Sequence, residues 1–189
     1  MKKRHLIFTL IFLMSVVSAE AAGRFYAGIA LGETTVSEAC KRVRSDCDDS
    51  DVGLKVFGGF QISRHWGLEA AYVDLGQVTA ALSSSGTPSI TARIEGFTLS
   101  GAGTVPLSKK FDFFAKAGLF RWQIEAARFG RFATQRQTQD GTDFTFGAGM
   151  VFRFTEDMRL RAMWEQFSDI GDRNTSDIHL FSGGMVLFF

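Results

Sequence analysis

From residue 143 to 154 the chain alternates without a break. Phe144, Phe146, Ala148, Met150, Phe152 and Phe154 form one set of positions, and Asp143, Thr145, Gly147, Gly149, Val151 and Arg153 the other. A period of two places these sets on opposite faces of a strand, one greasy and one small or polar. Residues 51–62 repeat the pattern, with Val52, Leu54, Val56 and Ile62 against Gly53, Lys55, Gly59 and Gln61. The same reading predicts six further strands, at 24–32, 66–76, 92–107, 111–125, 158–170 and 177–189. Each is near or above the roughly 9–11 residues that a tilted strand needs to cross a bilayer.

The connections alternate too. Short turns fall at 63–65, 108–110 and 155–157, and longer polar loops at 33–50, 77–91, 126–142 and 171–176. Short turns at one end and long loops at the other are the habit of outer-membrane barrels. The last strand shows Phe181, Gly183, Met185, Leu187 and Phe189 on one face, all apolar or small. Such an edge invites aggregation unless it is paired, and pairing it with the first strand closes a barrel. The expectation is an all-β, eight-stranded antiparallel up-and-down transmembrane β-barrel. A secreted sandwich or lipocalin-like barrel turns its apolar face inward and has no need of such long, Phe-rich strands. Phe25, Tyr26, Trp66, Tyr72, Trp122, Trp164, Phe188 and Phe189, gathered at strand ends, suit an interfacial girdle.

Composition agrees with that outline. The chain is 46% hydrophobic and holds 20 Phe against 2 Pro, yet past residue 22 no apolar run reaches the roughly 20 residues of a spanning helix. The first residues read as an export signal. Lys2, Lys3 and Arg4 precede an apolar run from Leu6 to Val17, and Ala19-Glu20-Ala21 fits a small-x-small cleavage site. Residues 1–21 are thus expected to be a cleaved signal peptide and 22–189 an outer-membrane barrel domain. Ala22 rather than Cys follows the cut, so no lipid anchor is indicated. Of 21 basic and 20 acidic residues the leader holds three and one, which leaves a net charge near −1 and no reason to expect nucleic-acid binding. Cys40 and Cys47 lie close together in a polar stretch, where an exported chain is expected to form a short-loop disulfide.

If the greasy face meets lipid, the other parity lines the lumen. It brings Lys55, Gln61, Glu69, Lys116, Arg153, Arg159, Arg161 and Glu165 inside. Charges taken out of bulk water need partners, so Glu69 and Glu165 are expected to bridge cations such as Lys55, Lys116, Arg159 or Arg161. An eight-stranded lumen is just wide enough to be filled by side chains. That favours a structural plug over a salt-bridge gate.

Several segments carry a family resemblance. Phe57-Gly58-Gly59-Phe60-Gln61, then Gly67-Leu68-Glu69-Ala70-Ala71-Tyr72 and Leu75-Gly76, resemble strands two and three of the outer-membrane protein A (OmpA) transmembrane domain. Phe114-Ala115-Lys116-Ala117-Gly118 with Trp122 is similar to its fifth strand. Glu165-Gln166-Phe167 and Ile170-Gly171-Asp172 resemble its seventh strand and last loop. In that family a lumenal glutamate exchanges basic partners to open a small pore, and the resemblance puts Glu69 and Lys116 at matching positions. Ser100-Gly101-Ala102-Gly103 stands where the family has a strand-four lysine, and the strand-six acid is replaced near Val151. The best-known members append a peptidoglycan-binding domain, and with the chain stopping at Phe189 no wall tether is implied. Phe189, Leu187 and Met185 also resemble the signal read by the outer-membrane assembly machinery.

Other chemistry is thinner. Asp46, Asp48, Asp49 and Asp51 could attract calcium, but the glycine and distal glutamate of an EF-hand loop are missing. After export only His65 and His179 remain. Ser176, Asp177 and Ser182 lie near His179, yet Ser182 is three residues away and falls on the opposite face of a strand. No nucleophile elbow accompanies them, so no enzyme and no cofactor or metal is expected. Arg128, Arg131 and Arg136 with Phe129 and Phe132 make the third loop basic and aromatic. The expected role is structural or surface-interacting: a monomeric scaffold in the bacterial outer membrane whose loops serve adhesion or envelope integrity. Its expected partners are outer-membrane lipid and lipopolysaccharide, the assembly machinery, and a host or cell-surface ligand. The rivals are a small ion or solute pore and a lipid-modifying enzyme.

Overall fold

The computed structural model describes residues 23–36, 47–48, 50–81, 89–129, 134–171 and 176–189. The expected leader and Cys40 lie outside them, and Cys47 is described only by its backbone pairing with Ala80; the disulfide therefore remains an expectation. Eight long strands run through the described residues: β1 (Arg24–Val36), β2 (Ser50–Gln61), β3 (Trp66–Ala81), β4 (Ser89–Pro106), β5 (Phe111–Phe129), β6 (Thr134–Arg153), β7 (Met158–Ile170) and β8 (Ser176–Phe188). A two-residue segment, Cys47–Asp48, adds a short pairing to β3. Every long strand pairs antiparallel with its neighbours in sequence. β8 returns to β1, from Tyr26↔Phe188 to Val36↔Ile178. The sheet is a closed barrel.

Its outer surface explains the alternation. Twenty-six large hydrophobic side chains among the described residues are 37–71% exposed, Phe97, Leu99, Phe144 and Phe181 among them. Soluble proteins seldom show contiguous apolar patches beyond a few hundred Å², whereas a barrel in lipid carries an apolar band of this kind. On β8, Phe181, Met185, Leu187 and Phe189 point outward, while Leu180, Val186 and Phe188 are buried inside.

The three short turns share one device. The hydroxyls of Ser63, Ser108 and Thr155 accept the backbone N–H three residues on, from Trp66 at 3.2 Å, Phe111 at 3.1 Å and Met158 at 2.9 Å. A local hydroxyl acceptor of this sort stabilises a tight turn. At the other end β3 leaves the apolar band through a bulge between Asp74 and Gln77. Gly76 sits there at φ +81°, a left-handed conformation that glycine adopts without penalty.

Two expectations need correction. Residues 77–91 and 126–142 read as loops, but β3 continues to Ala81, β4 begins at Ser89, β5 reaches Phe129 and β6 begins at Thr134. Beyond the bilayer a hairpin is held by its ladder alone, and 134–142 is polar at both parities, so no period-two signal marks it. Three members of the expected girdle, Tyr26, Trp122 and Phe188, are instead buried in the barrel. Phe25, Trp66, Trp164 and Phe189 do face outward.

Candidate functional site

The buried interior of the barrel has two layers. The central one is ionic and is built from four strands. Lys55 comes from β2, Glu69 from β3, Lys116 from β5, and Arg161 and Glu165 from β7. All five are buried. Glu69 accepts hydrogen bonds from Arg161 Nη1 at 2.6 Å, Lys116 Nζ at 3.1 Å and the Tyr26 hydroxyl at 3.2 Å, with Lys55 Nζ at 3.7 Å. Glu165 accepts from Lys55 Nζ at 2.5 Å. Its other oxygen lies 2.6 Å from Lys116 Nζ in an ion pair. The Arg161 guanidinium also lies 4.0 Å from the Phe114 ring centre and 4.8 Å from that of Phe57, within cation–π range.

Small residues make room for this layer. A Cβ at Gly147 would lie 2.7 Å from Glu165 Cγ, and one at Gly59 would lie 2.3 Å from the Tyr26 ring. Parity carries the rest, because each charged residue sits on the inward set of its strand. Paired, desolvated charges of this kind hold one another rigidly, and losing one partner strands the others.

Towards the long loops the lumen turns apolar. Val73, Leu75, Ile94, Phe120, Phe167, Ile178 and Leu180 are buried there in one cluster. The Phe120 and Phe167 rings are 4.7 Å apart. Trp122 lies beside them and donates its indole N–H to Asp143 at 2.6 Å. None of these residues was among those expected to line the lumen; in this half the inward positions of β5, β7 and β8 are apolar.

The seven residues expected to form one charge network therefore separate. Lys55, Glu69, Lys116, Arg161 and Glu165 meet in the central layer. Arg153 lies nearer the turns and grips Asp112 with Nε and Nη2 of its guanidinium, the first bond at 2.7 Å. Arg159, expected to bridge a glutamate, instead stacks its guanidinium 3.9 Å from the Phe188 ring centre. Asp112 and Tyr26 were overlooked, although the inward parity of their strands marks both.

A profile of the OmpA-like transmembrane domain matches residues 20–187. The chain belongs to the OmpA-like transmembrane domain family. This OmpA-like barrel finds no match among curated proteins. Among solved structures it is similar to Neisserial surface protein A, with TM-score 0.62 and 12% identity, covering 87% of this chain and 97% of that one. It is also similar to the attachment invasion locus protein Ail of Yersinia pestis, solved with the heparin analogue sucrose octasulfate (TM-score 0.60, 14% identity, 88% and 99% covered). A third is the outer membrane protein OprG of Pseudomonas aeruginosa (TM-score 0.53, 11% identity, 90% and 97% covered). Identities this low speak for the fold alone.

The other candidate residues of the OmpA-like barrel take structural places. His179 lies on the outer face, its ring stacked on Trp164 at 5.7 Å and 18°, while Ser182 is buried on the inner face of the same strand. Asp177 accepts from Gln166 Nε2 at 3.0 Å and from the Asp169 amide at 3.3 Å. No Ser–His–Asp relay is brought together among these three. Asp51 spends its carboxylate on the backbone N–H groups of Val52 and Gln77, both at 2.7 Å; Asp46 and Asp49 lie outside the described residues, as do Arg131 and Phe132.

Finally, the loop end carries an open strand edge. β5 and β6 pair from Phe129↔Thr134 down to Phe111↔Phe152. On its other side β6 meets β7 only from Thr145↔Phe167. From Thr134 to Phe144, then, β6 has no second strand partner among the described residues. Gln137 to Asp140 are exposed at every position.

Proposed function

We propose that this chain is a bacterial outer-membrane scaffold whose working part is its outer surface, with the barrel acting as a sealed anchor. Residues 1–21 serve export, and Phe189, Leu187 and Met185 present the strand end to the assembly machinery. The single observation that carries the surface role is the β5–β6 hairpin. Beyond the apolar band it projects a polar strand whose second edge meets no other strand among the described residues. Unpaired N–H and C=O groups along such an edge are a template for an added strand or a polar ligand. The structure of Ail with a heparin analogue adds support by similarity of fold, since it ties a barrel of this kind to a polar surface ligand.

The closed lumen supports the same reading over a pore. Rearranging Glu69 among its cations leaves the Phe120–Phe167 layer in place. A continuous water path needs both layers to part. For an enzymatic role, no nucleophile and base are assembled among the described residues Ser182, His179 and Asp177.

The test shortens the hairpin. Glu125 and Thr138 face each other across the ladder, so joining them through Asn-Gly removes 126–137 and keeps the register. The barrel should still insert and show heat-dependent gel mobility, while adherence of expressing cells to heparin-coated or host-cell surfaces falls several-fold. Unchanged adherence with an inserted barrel would remove the hairpin from the function.

A further inference from the structure

Below the central layer the lumen is hollow and carries unbalanced positive charge. A cavity of about 30 Å³ beneath Arg161 and Tyr26 adjoins a wide mouth at the turn end, and both are walled by Gln61, Thr104 and Arg159. Charge can be followed downward through these walls. The central layer sets three cations against two carboxylates. Lower down, Arg153 is matched by Asp112 and Arg24 by Asp157 at 2.5 Å. Among the described residues Arg159 has no carboxylate partner, and its buried Nε has no acceptor. The groups around the mouth thus set Arg24, Arg64, Arg153 and Arg159 against Asp112 and Asp157, an excess of two positive charges at the turn end.

The geometry selects the counter-ion. Arg159 holds its guanidinium carbon 3.9 Å over the Phe188 ring centre, a contact that restrains the guanidinium. The planar fork of a restrained guanidinium suits bidentate recognition of an oxyanion. Arg64, on the 63–65 turn, lines the same mouth and also has no carboxylate partner among the described residues; its carbonyl accepts from Gln61 Nε2 at 3.2 Å, which ties the turn to the wall. We propose that the turn-end mouth is a binding site for a phosphate group, seated on Arg159 and closed over by Arg64. A surplus of two charges fits phosphate, at about −1.5 to −2 for a monoester near neutral pH, better than a single carboxylate. The phosphate comes either from solution or from a lipid headgroup at the barrel rim.

The experiment uses the full mature barrel refolded in maltoside micelles, which contain no phosphate. Inorganic phosphate is titrated at constant ionic strength against chloride while the arginine Nε–Hε resonances are followed by NMR. A parallel titration uses a short-chain phosphatidylglycerol. The site predicts a saturable shift of the Arg159 resonance, at least about tenfold weaker binding in Arg159→Gln, and a several-fold loss in the exposed-turn variant Arg64→Gln, whose folding is not at risk. Acetate should bind more weakly than phosphate. Saturation by inorganic phosphate assigns a soluble ligand, and saturation by the lipid alone assigns a headgroup. Linear shifts that match chloride in both titrations, or saturation unchanged in Arg64→Gln and Arg159→Gln, would overturn the site.

Discussion

Replacing Glu69 with Gln probes the central layer with almost no change of volume. The wild-type layer holds three cations, Lys55, Lys116 and Arg161, against Glu69 and Glu165. The variant leaves those three cations facing one carboxylate, so the net buried charge rises from one to two. Glu69 is wholly buried, and water cannot easily compensate. Removing one partner of a buried ion pair costs about 3–5 kcal/mol. The Gln oxygen still accepts one hydrogen bond, which sets the expected loss near the lower end, about 3 kcal/mol. Urea unfolding of the barrel refolded into phosphatidylcholine vesicles, followed by tryptophan emission and extrapolated linearly, measures it. A second variant, Glu69→Gln with Lys116→Gln, restores the net charge to one. It should therefore be more stable than the sum of its single losses by more than about 1 kcal/mol. A Glu69→Gln loss under about 0.5 kcal/mol, or losses that add within that margin, would refute the layer as a coupled unit.

Other consequences follow from the same structure. Phe120→Ala opens a void in the apolar layer and should cost about 3–5 kcal/mol in the same assay. Leu99→Arg puts a charge on the lipid face beside Ser100, the register partner of Glu69, and should cost about 2–4 kcal/mol near the bilayer midplane; Gln137→Arg, on the exposed hairpin, should cost almost nothing. Gly147→Ala forces a Cβ to within 2.7 Å of Glu165 Cγ and of the Trp164 carbonyl, and should lose about 1–3 kcal/mol by overpacking.

How much of this was legible in the chain depends on where the solvent changes. In the apolar band one face of each strand meets lipid, so alternation is strict, and strands such as 143–154 and 51–62 could be read directly. The same parity placed Lys55, Glu69, Lys116, Arg161 and Glu165 inside. Above the band that signal ends. Thr134 to Thr142 pairs as a strand, and a pattern polar at both parities looks like a loop. In the outer half of the lumen the opposite happens. Phe120, Phe167, Ile178 and Leu180 point inward while Phe181 points outward, so apolar side chains no longer mark the lipid face alone. Arg159 escaped for another reason. Its parity was right, but whether a guanidinium finds a carboxylate or the Phe188 ring depends on the depth reached by each strand, which spacing alone does not encode.

The central claim, a sealed barrel with its function on the outside, is tested most directly by conductance. Purified wild-type protein and Glu69→Gln are inserted into planar lipid bilayers, and insertion is verified by heat-dependent mobility of the recovered protein. The account predicts no discrete openings from either, because the Phe120–Phe167 layer stays closed whatever Glu69 does. Stable unitary openings in the wild type, altered in Glu69→Gln, would contradict it.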